Sequence, residues 1–231
     1  MKIKINVHKN VPKMLSKSVK HNLIVVNSDK SNFLTESVTA KIKRLKLKLS
    51  DLEDKFLSLD DEYQAHTVIL KSSDKSVFKV QTQLRKSLKN LLDENPTEIN
   101  LIIETDNILW NRELLYTALL NSKDLPSRKK KVDKKSLKVI NFYGKLELTD
   151  VKEIEALVEG NTLSRILTMT PPNDLTPTIY RKEIKKLASK SKWTFNEYTM
   201  PQLKKMGAGA FVAVGQGSEP QDAAIVHLTY T

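Results

Sequence analysis

From residue 2 to residue 143, short apolar runs alternate with amphipathic stretches, and this alternation limits the fold more than any other feature of the chain. Strands are expected at Lys2–Val7, His21–Asn27, Gln64–Leu70, Glu98–Glu104 and Leu137–Tyr143. Leu23-Ile24-Val25-Val26 and Ile99 with Leu101-Ile102-Ile103 have the unbroken apolar character of strands buried on both faces. Between them, apolar residues recur at three- and four-residue spacing: Val38, Ile42, Leu45 and Leu49 over Thr35–Leu49; Val80, Leu84, Leu88 and Leu91 over Ser76–Leu92; Leu109, Leu114, Leu115, Ala118 and Leu119 over Asn107–Ser122. That spacing makes one helix face apolar. Residues 51–62 are acidic and receive no assignment. Strand-helix alternation predicts an α/β domain of three layers, a mainly parallel sheet with helices on both faces.

A second kind of signal starts at Thr170-Pro171-Pro172-Asn173-Asp174-Leu175-Thr176-Pro177. Three prolines remove three backbone donors and push each preceding residue out of the helical region. Thr176 followed by Pro177 is an N-cap followed by proline at the first helical position. One helix therefore ends near Met169 and another begins near Pro177. The first is expected to open at Asp150, with Asp150 and Glu153 at capping-box spacing and Ile154, Leu157 and Val158 inward. Beyond the prolines the expectation is a helix over Thr178–Ser189, a strand over Trp193–Tyr198, a short helix over Pro201–Met206 capped by Gly207, and a strand over Ala223–Tyr230. The domains read as 1–149, a bridging helix at 150–169, and 170–231. Residues 171–231 fall below the roughly 70–80 at which a core sustains itself, so this last part reads as an interrupted domain.

Composition narrows the chemistry. The chain of 231 residues has no cysteine, which excludes disulfides, thiolate metal sites and a cysteine nucleophile. No apolar run approaches the ~20 residues of a membrane span and no signal-peptide pattern opens the chain; a soluble cytoplasmic protein is expected. The formal charge of +12 is concentrated in residues 1–50, which hold 12 of the 39 Lys/Arg and 2 of the 27 Asp/Glu. Lys41, Lys43, Arg44, Lys46 and Lys48 form the densest group and are candidates for polyanion contact. Only six of the cations are Arg, the residue suited to bidentate phosphate and base contacts. A lysine-biased solvated face explains the same group.

Motifs for catalysis are scarce. His8, His21, His66 and His227 have no metal-site spacing in the sequence and read as surface or satisfied core histidines. Glu104 and Asp106 stand just past a strand end, where α/β sites often lie, and also read as a solvated loop. All six glycines lie at or after position 144, so the first domain lacks the glycine loop that cradles a nucleotide phosphate.

Thr170–Pro177 gains meaning beside Met206-Gly207-Ala208-Gly209-Ala210-Phe211-Val212-Ala213-Val214-Gly215-Gln216-Gly217-Ser218. Together, in this order and spacing, the two segments resemble the leucyl (cytosol) aminopeptidase family, most strongly over residues 150–231. Thr170, Pro171, Pro172, Asn173, Pro177, Met206, Gly207, Gly209, Gly215, Gly217 and Ser218 carry the resemblance and are assigned structural roles, the glycines as tight turns around the first strand of the catalytic domain. The first 149 residues match only in style, including Leu125-Pro126-Ser127-Arg128 before a basic loop.

The resemblance implies a macro-domain-like N-terminal domain followed by an incomplete zinc-exopeptidase-like catalytic domain. It implies a hexameric exopeptidase that removes N-terminal residues from peptides, using two divalent cations (Zn, Mn or Mg) to polarise the scissile carbonyl and activate water. The family's metal motifs, a Lys-Gly…Asp-x-Gly-Gly segment and an Asn-Thr-Asp-Ala-Glu-Gly-Arg segment, do not occur in residues 1–231. No catalytic or metal residue is therefore assigned, and the chain is expected to be truncated before the metal site, to bind no cofactor and to be inactive alone. The alternative is a basic accessory module with weak, non-specific nucleic-acid binding, or an oligomerisation fragment.

Overall fold

The computed structural model describes residues 3–15, 18–60, 65–127, 136–217 and 220–230. The chain divides into two compact units, Met1–Ser164 and Arg165–Thr231. Ser218 and the basic loop of residues 128–135 lie outside the described residues.

The first unit is built on a six-stranded sheet. Its strands are β1 (Lys4–His8), β2 (His21–Val26), β3 (Leu57–Asp60), β4 (His66–Lys71), β5 (Glu98–Ile103) and β6 (Val139–Tyr143), in the order β1-β6-β5-β2-β4-β3. All neighbouring pairs are parallel except β3 with β4. The helices are α1 (Glu36–Arg44), α2 (Val77–Leu92), α3 (Ile108–Asn121) and α4 (Leu148–Met169).

Burial on both faces explains the unbroken apolar strands. Leu23 and Val25 of β2 join one core cluster with Val80, Leu84 and Leu88 of α2, Trp110 and Leu114 of α3, and Ile154 and Val158 of α4. Ile24 and Val26 point the other way, into a cluster with Val38 of α1, Phe33, Leu52 and Leu57. The strand period of two thus feeds two cores from one run of residues. The polar residues within the strands fall into line as well. Asn6 donates to Asn141 (2.8 Å), Asn141 to Asn100 (3.0 Å) and Asn100 to Asn22 (2.8 Å), an amide row across β1, β6, β5 and β2.

Several expectations are corrected here. α1 stops at Arg44 instead of continuing to Leu49, because Lys46 adopts a left-handed conformation with φ 54°. Leu45 is consequently exposed, and a short 3₁₀ turn over Leu49–Glu53 buries Leu52 instead. The unassigned acidic stretch contains β3, whose Leu57 and Leu59 alternate onto the second cluster. α4 begins at Leu148, so Asp150 is not its N-cap. Asp150 occupies the first turn and accepts from the Glu147 N–H (2.9 Å), while Glu153 pairs with Arg112 (3.0 Å) instead of completing a box with Asp150. Leu157, expected inward, is 54% exposed.

The second unit contains α5 (Pro177–Ser191), β7 (Thr194–Thr199), α6 (Met200–Lys205), α7 (Gly209–Gly215) and β8 (Ala224–Thr229). β7 and β8 pair antiparallel, Thr194 with Thr229 through Thr199 with Ala224. α4 ends at Met169 and α5 starts at Pro177, where the prolines place these limits. Between them the Pro171 carbonyl accepts from the N–H groups of Asp174 and Leu175, both at 2.9 Å.

Candidate functional site

The segments that carry the family resemblance all fall in this second unit or at its entrance. Thr176 caps α5 with its side-chain oxygen, which accepts from the Ile179 N–H at 3.4 Å. Proline at the next position costs nothing there, since the first N–H groups of a helix have no partner within it. Thr178 adds a second tie. Its N–H and its hydroxyl both donate to Asp222 Oδ2, at 3.0 and 2.5 Å. The Thr178 hydroxyl first, with the N–H groups of Thr178 and of Asp222 itself and the charge of Arg181, holds the Asp222 carboxyl below the usual aspartate range against desolvation, which is second only to the hydroxyl bond. Arg181, one turn on, pairs with Glu197 of β7 at 3.1 Å. α5 is thereby tied to the segment before β8 and to β7.

The glycines behave differently from one another. Gly207 has φ +71°, the left-handed conformation expected of a residue just past a helix end. Gly209 and Gly215 do not form turns around a strand. They bound α7, with Val212 N–H bonded to Ala208 O (3.0 Å) and Gln216 N–H to Val212 O (2.9 Å). A Cβ at Gly215 would lie 3.1 Å from the Met200 Sδ, so the small residue lets α7 approach the start of α6. Gly217 lies just beyond α7, where its N–H bonds the Val214 carbonyl (3.3 Å). A short, valine-rich apolar run does not distinguish helix from strand by its period, which is why α7 escapes a sequence reading. The Thr178–Asp222 tie escapes it too, since 44 residues separate the partners.

A pair of catalytic cations needs several carboxylates converging on one place. In the second unit Glu183 is paired with Lys186, Glu197 with Arg181, and Asp222 with Thr178. Across the described residues no group of three or more His, Asp or Glu side chains is arranged, as the side chains stand, to hold a metal ion. The described residues, as they stand, do not fit a two-metal peptidase centre.

In the first unit the basic group separates into two. Lys41 turns inward and donates to the Ser58 carbonyl. Lys43, Arg44, Lys46 and Lys48 are exposed around the end of α1. Glu104 is engaged inside the fold, accepting from the Ser31 hydroxyl (2.9 Å) and the Asn27 N–H (3.4 Å), whereas Asp106 is exposed beside Lys145. His21 and His66, unrelated by sequence spacing, become neighbours because β2 and β4 pair with these two residues in register.

Comparison with known proteins identifies the second unit. The model of the cytosol aminopeptidase family's catalytic domain matches residues 162–231. The probable cytosol aminopeptidase of Prochlorococcus marinus is 39% identical over 82 residues, 35% of this chain and 16% of that protein. That of Pseudomonas paraeruginosa is 38% identical over 76 residues, 32% and 15% of the two. Residues 162–231 are therefore similar to the catalytic domain of the leucyl (cytosol) aminopeptidase family. A mutant of tomato leucine aminopeptidase superposes with a TM-score of 0.76 at 19% identity, covering 98% of this chain and 50% of that one. The bottromycin maturation enzyme BotP, in complex with Mn, superposes at 0.72 with 17% identity, covering 92% and 45%. At these identities the superpositions establish a shared mixed α/β fold. The chain spans about half the length of the solved chains it resembles, and its match to the two aminopeptidases covers 16% and 15% of their length.

Proposed function

We propose that the chain supplies the N-terminal domain and the opening of the catalytic domain of a metal-dependent aminopeptidase that removes residues such as leucine from the N-termini of peptides. The observation that carries this reading is the match of residues 162–231 to the family's catalytic domain, together with Thr170–Pro177 and Met206–Gly217 in the family's order. In this reading residues 1–149 are the N-terminal domain, 150–169 the connecting helix and 170–231 the start of the catalytic domain. The metal ligands belong to the half of the relatives that this chain does not match. The whole enzyme is a cytoplasmic hexamer using two divalent cations, Zn, Mn or Mg, which when bound polarise the scissile carbonyl. The chain's own share is to position: Thr176, Thr178 and Asp222 fix α5 against the approach to β8.

Residues 1–231 alone should then fail to hydrolyse leucine para-nitroanilide with added Mn²⁺. A chimera that continues the chain with the corresponding later half of the Prochlorococcus relative should hydrolyse it. Metal-dependent turnover by the 231 residues alone would overturn the reading of inactivity, and a folded but inert chimera would count against the enzyme reading.

A second, weaker role rests on the exposure of Lys43, Arg44, Lys46 and Lys48 around one helix end. Four clustered cations without a base-reading partner suit non-specific, salt-sensitive attraction to nucleic acid.

A further inference from the structure

A serine, a histidine and two carboxylates meet in sequence at the open edge of the six-stranded sheet. Ser58 and Asp60 lie on β3, the edge strand, and His66 opens β4. Asp60 stands opposite His66, and Ser58 opposite Val68, so all three share the sheet face that packs on α2. Glu94 stands two residues past the end of α2. Ser58 Oγ is 2.9 Å from His66 Nε2. On the other side of the ring, His66 Nδ1 is 2.9 Å from Glu94 Oε1 and 3.1 Å from Asp60 Oδ1. The second oxygen of Glu94, Oε2, is 2.7 Å from His21 Nε2. Hydroxyl, imidazole and carboxylate thus follow one another, and a second histidine holds the last of them.

We propose that Ser58 and His66 are the nucleophile and the general base of a site that hydrolyses small carboxylic esters, with Glu94 and Asp60 positioning His66. Ionised carboxylates only accept hydrogen bonds. With two of them at Nδ1, a neutral His66 carries its proton there and leaves the Nε2 lone pair to accept from the Ser58 hydroxyl. That tautomer lets an imidazole take the proton of an attacking serine, and the arrangement is recognised by the role of each group, not by its place in the sequence. Ser58 is half-buried and the His66 side chain is 14% exposed. The pair is therefore held by the sheet and still reached from its edge.

The backbone adds a donor. The His66 N–H donates to the Lys20 carbonyl (2.7 Å) and the Ser72 N–H to the Val26 carbonyl (2.9 Å). Alternate residues of β4, Val68 among them, therefore turn their backbone groups toward β2. Ser58, opposite Val68, turns its own N–H and carbonyl the other way, to the outer side of β3, where the carbonyl accepts from Lys41. No strand lies beyond β3 among the described residues. A serine's own N–H is one of the donors that hold the oxyanion in serine hydrolases, and the Lys41 ammonium sits on the same side of the strand. One backbone donor and one cation suit an ester, whose alkoxide leaves readily, better than an amide. In the first step Ser58 Oγ bonds to the ester carbonyl carbon while its proton passes to His66 Nε2. The tetrahedral oxyanion collapses, the bond to the alkoxy oxygen breaks, and His66 gives the proton to the departing alkoxide. Water then attacks the acyl-serine, its proton passing to His66 and on to Ser58 Oγ, which releases the carboxylic acid.

The test uses the whole 231-residue chain with para-nitrophenyl acetate as the ester. Ser58→Ala and His66→Gln should each lower the rate by about a hundredfold. Glu94→Gln, with Asp60 still in place, should lower kcat severalfold and leave KM unchanged, which a merely structural role would not do. A metal chelator should leave the rate unchanged, which separates this site from the metal-dependent peptidase reading. Because a substitution at the sheet edge could disturb folding, a second measurement uses the unaltered protein. Diisopropyl fluorophosphate should phosphorylate Ser58 with loss of fluoride, as mapped by peptide mass, and prior unfolding in urea should prevent it. Ser58 left unlabelled in the folded protein, or hydrolysis that Ser58→Ala leaves unchanged, would each overturn the site.

Discussion

Gly144 lies directly against Asn111. A Cβ at position 144 would stand 2.5 Å from Asn111 Oδ1, 2.4 Å from Ile103 Cγ2 and 2.9 Å from the Phe142 ring. Asn111 cannot yield, because its Oδ1 accepts from the Lys145 N–H (2.7 Å) and its Nδ2 donates to the carbonyls of Thr105 and Asn107 (both 2.9 Å). One fully buried amide therefore clamps the loop after β5 to the loop after β6, and only glycine leaves it room. Gly144→Ala should destabilise by about 2–3 kcal/mol, a fall in Tm of about 5–10 °C. Gly160, inside α4 with nothing within 4 Å of its would-be Cβ, should respond oppositely, Gly160→Ala stabilising by about 0.5–1 kcal/mol. Thermal melts of the two variants check the pair, and equal shifts would contradict the packing described for Gly144.

The amide row makes a graded prediction. Asn22 is fully buried, its Nδ2 has no partner, and its Oδ1 accepts from Asn100. Asn100→Ala removes that remaining bond and leaves a buried amide with neither end paired. The expected loss is about 2 kcal/mol. Asn6 sits at the partly exposed end of the row, where water can replace it, so Asn6→Ala should cost about 0.5–1 kcal/mol. Urea denaturation at neutral pH gives both values. The order of the two, more than their size, tests whether the row matters because it is buried.

What could be read in advance follows from which interactions are local. The run Leu23–Val26 announces a strand with two buried faces because each residue's neighbours in the chain already state the pattern. Thr176-Pro177 announces the start of α5 because capping involves atoms three residues apart. β3 could not be read, since its edge position leaves only Leu57 and Leu59 to alternate. α1 reads longer in the sequence than it is because nothing in Leu45-Lys46 signals a left-handed lysine. The ties that organise the candidate sites (Thr178 with Asp222, Asn111 with Lys145, Glu94 with two histidines) join residues 28 to 73 positions apart. The two in the first unit exist only once the parallel register brings strand ends together, and Thr178 meets Asp222 only when the second unit has folded.

The exposed cations at the end of α1 should act as a unit on nucleic acid. Changing Lys43, Arg44, Lys46 and Lys48 to Glu is expected to weaken duplex DNA binding at low salt by about tenfold or more and to flatten its salt dependence. Lys41 is left out of the set because it holds the Ser58 carbonyl, and its reversal would disturb β3. Fluorescence anisotropy across a salt series measures both quantities. An unchanged affinity and slope would remove the nucleic-acid reading.

Asp222 should give the second unit an acid-sensitive stability. Its folded carboxyl titrates below the ordinary aspartate value of about 3.9, first because of the Thr178 hydroxyl, then the Thr178 N–H and the Arg181 charge. A carboxyl with a lowered folded value binds protons more readily when unfolded, so stability rises with pH through this range. The contribution is complete above the unfolded value and disappears as pH falls through the folded one, which places the window below about pH 4. Asp222→Asn retains an acceptor for Thr178 but loses the charge beside Arg181 and the start of α5. The variant should melt lower than the parent at pH 7, and the gap should narrow as pH falls below 4. Thr178→Val, which removes the hydroxyl, should act on the same group and add little to Asp222→Asn, because residues sharing one interaction do not contribute independently. Melting curves of the two single variants and the double variant at pH 7 and pH 3 check the argument. Full additivity would mean that the two side chains act separately.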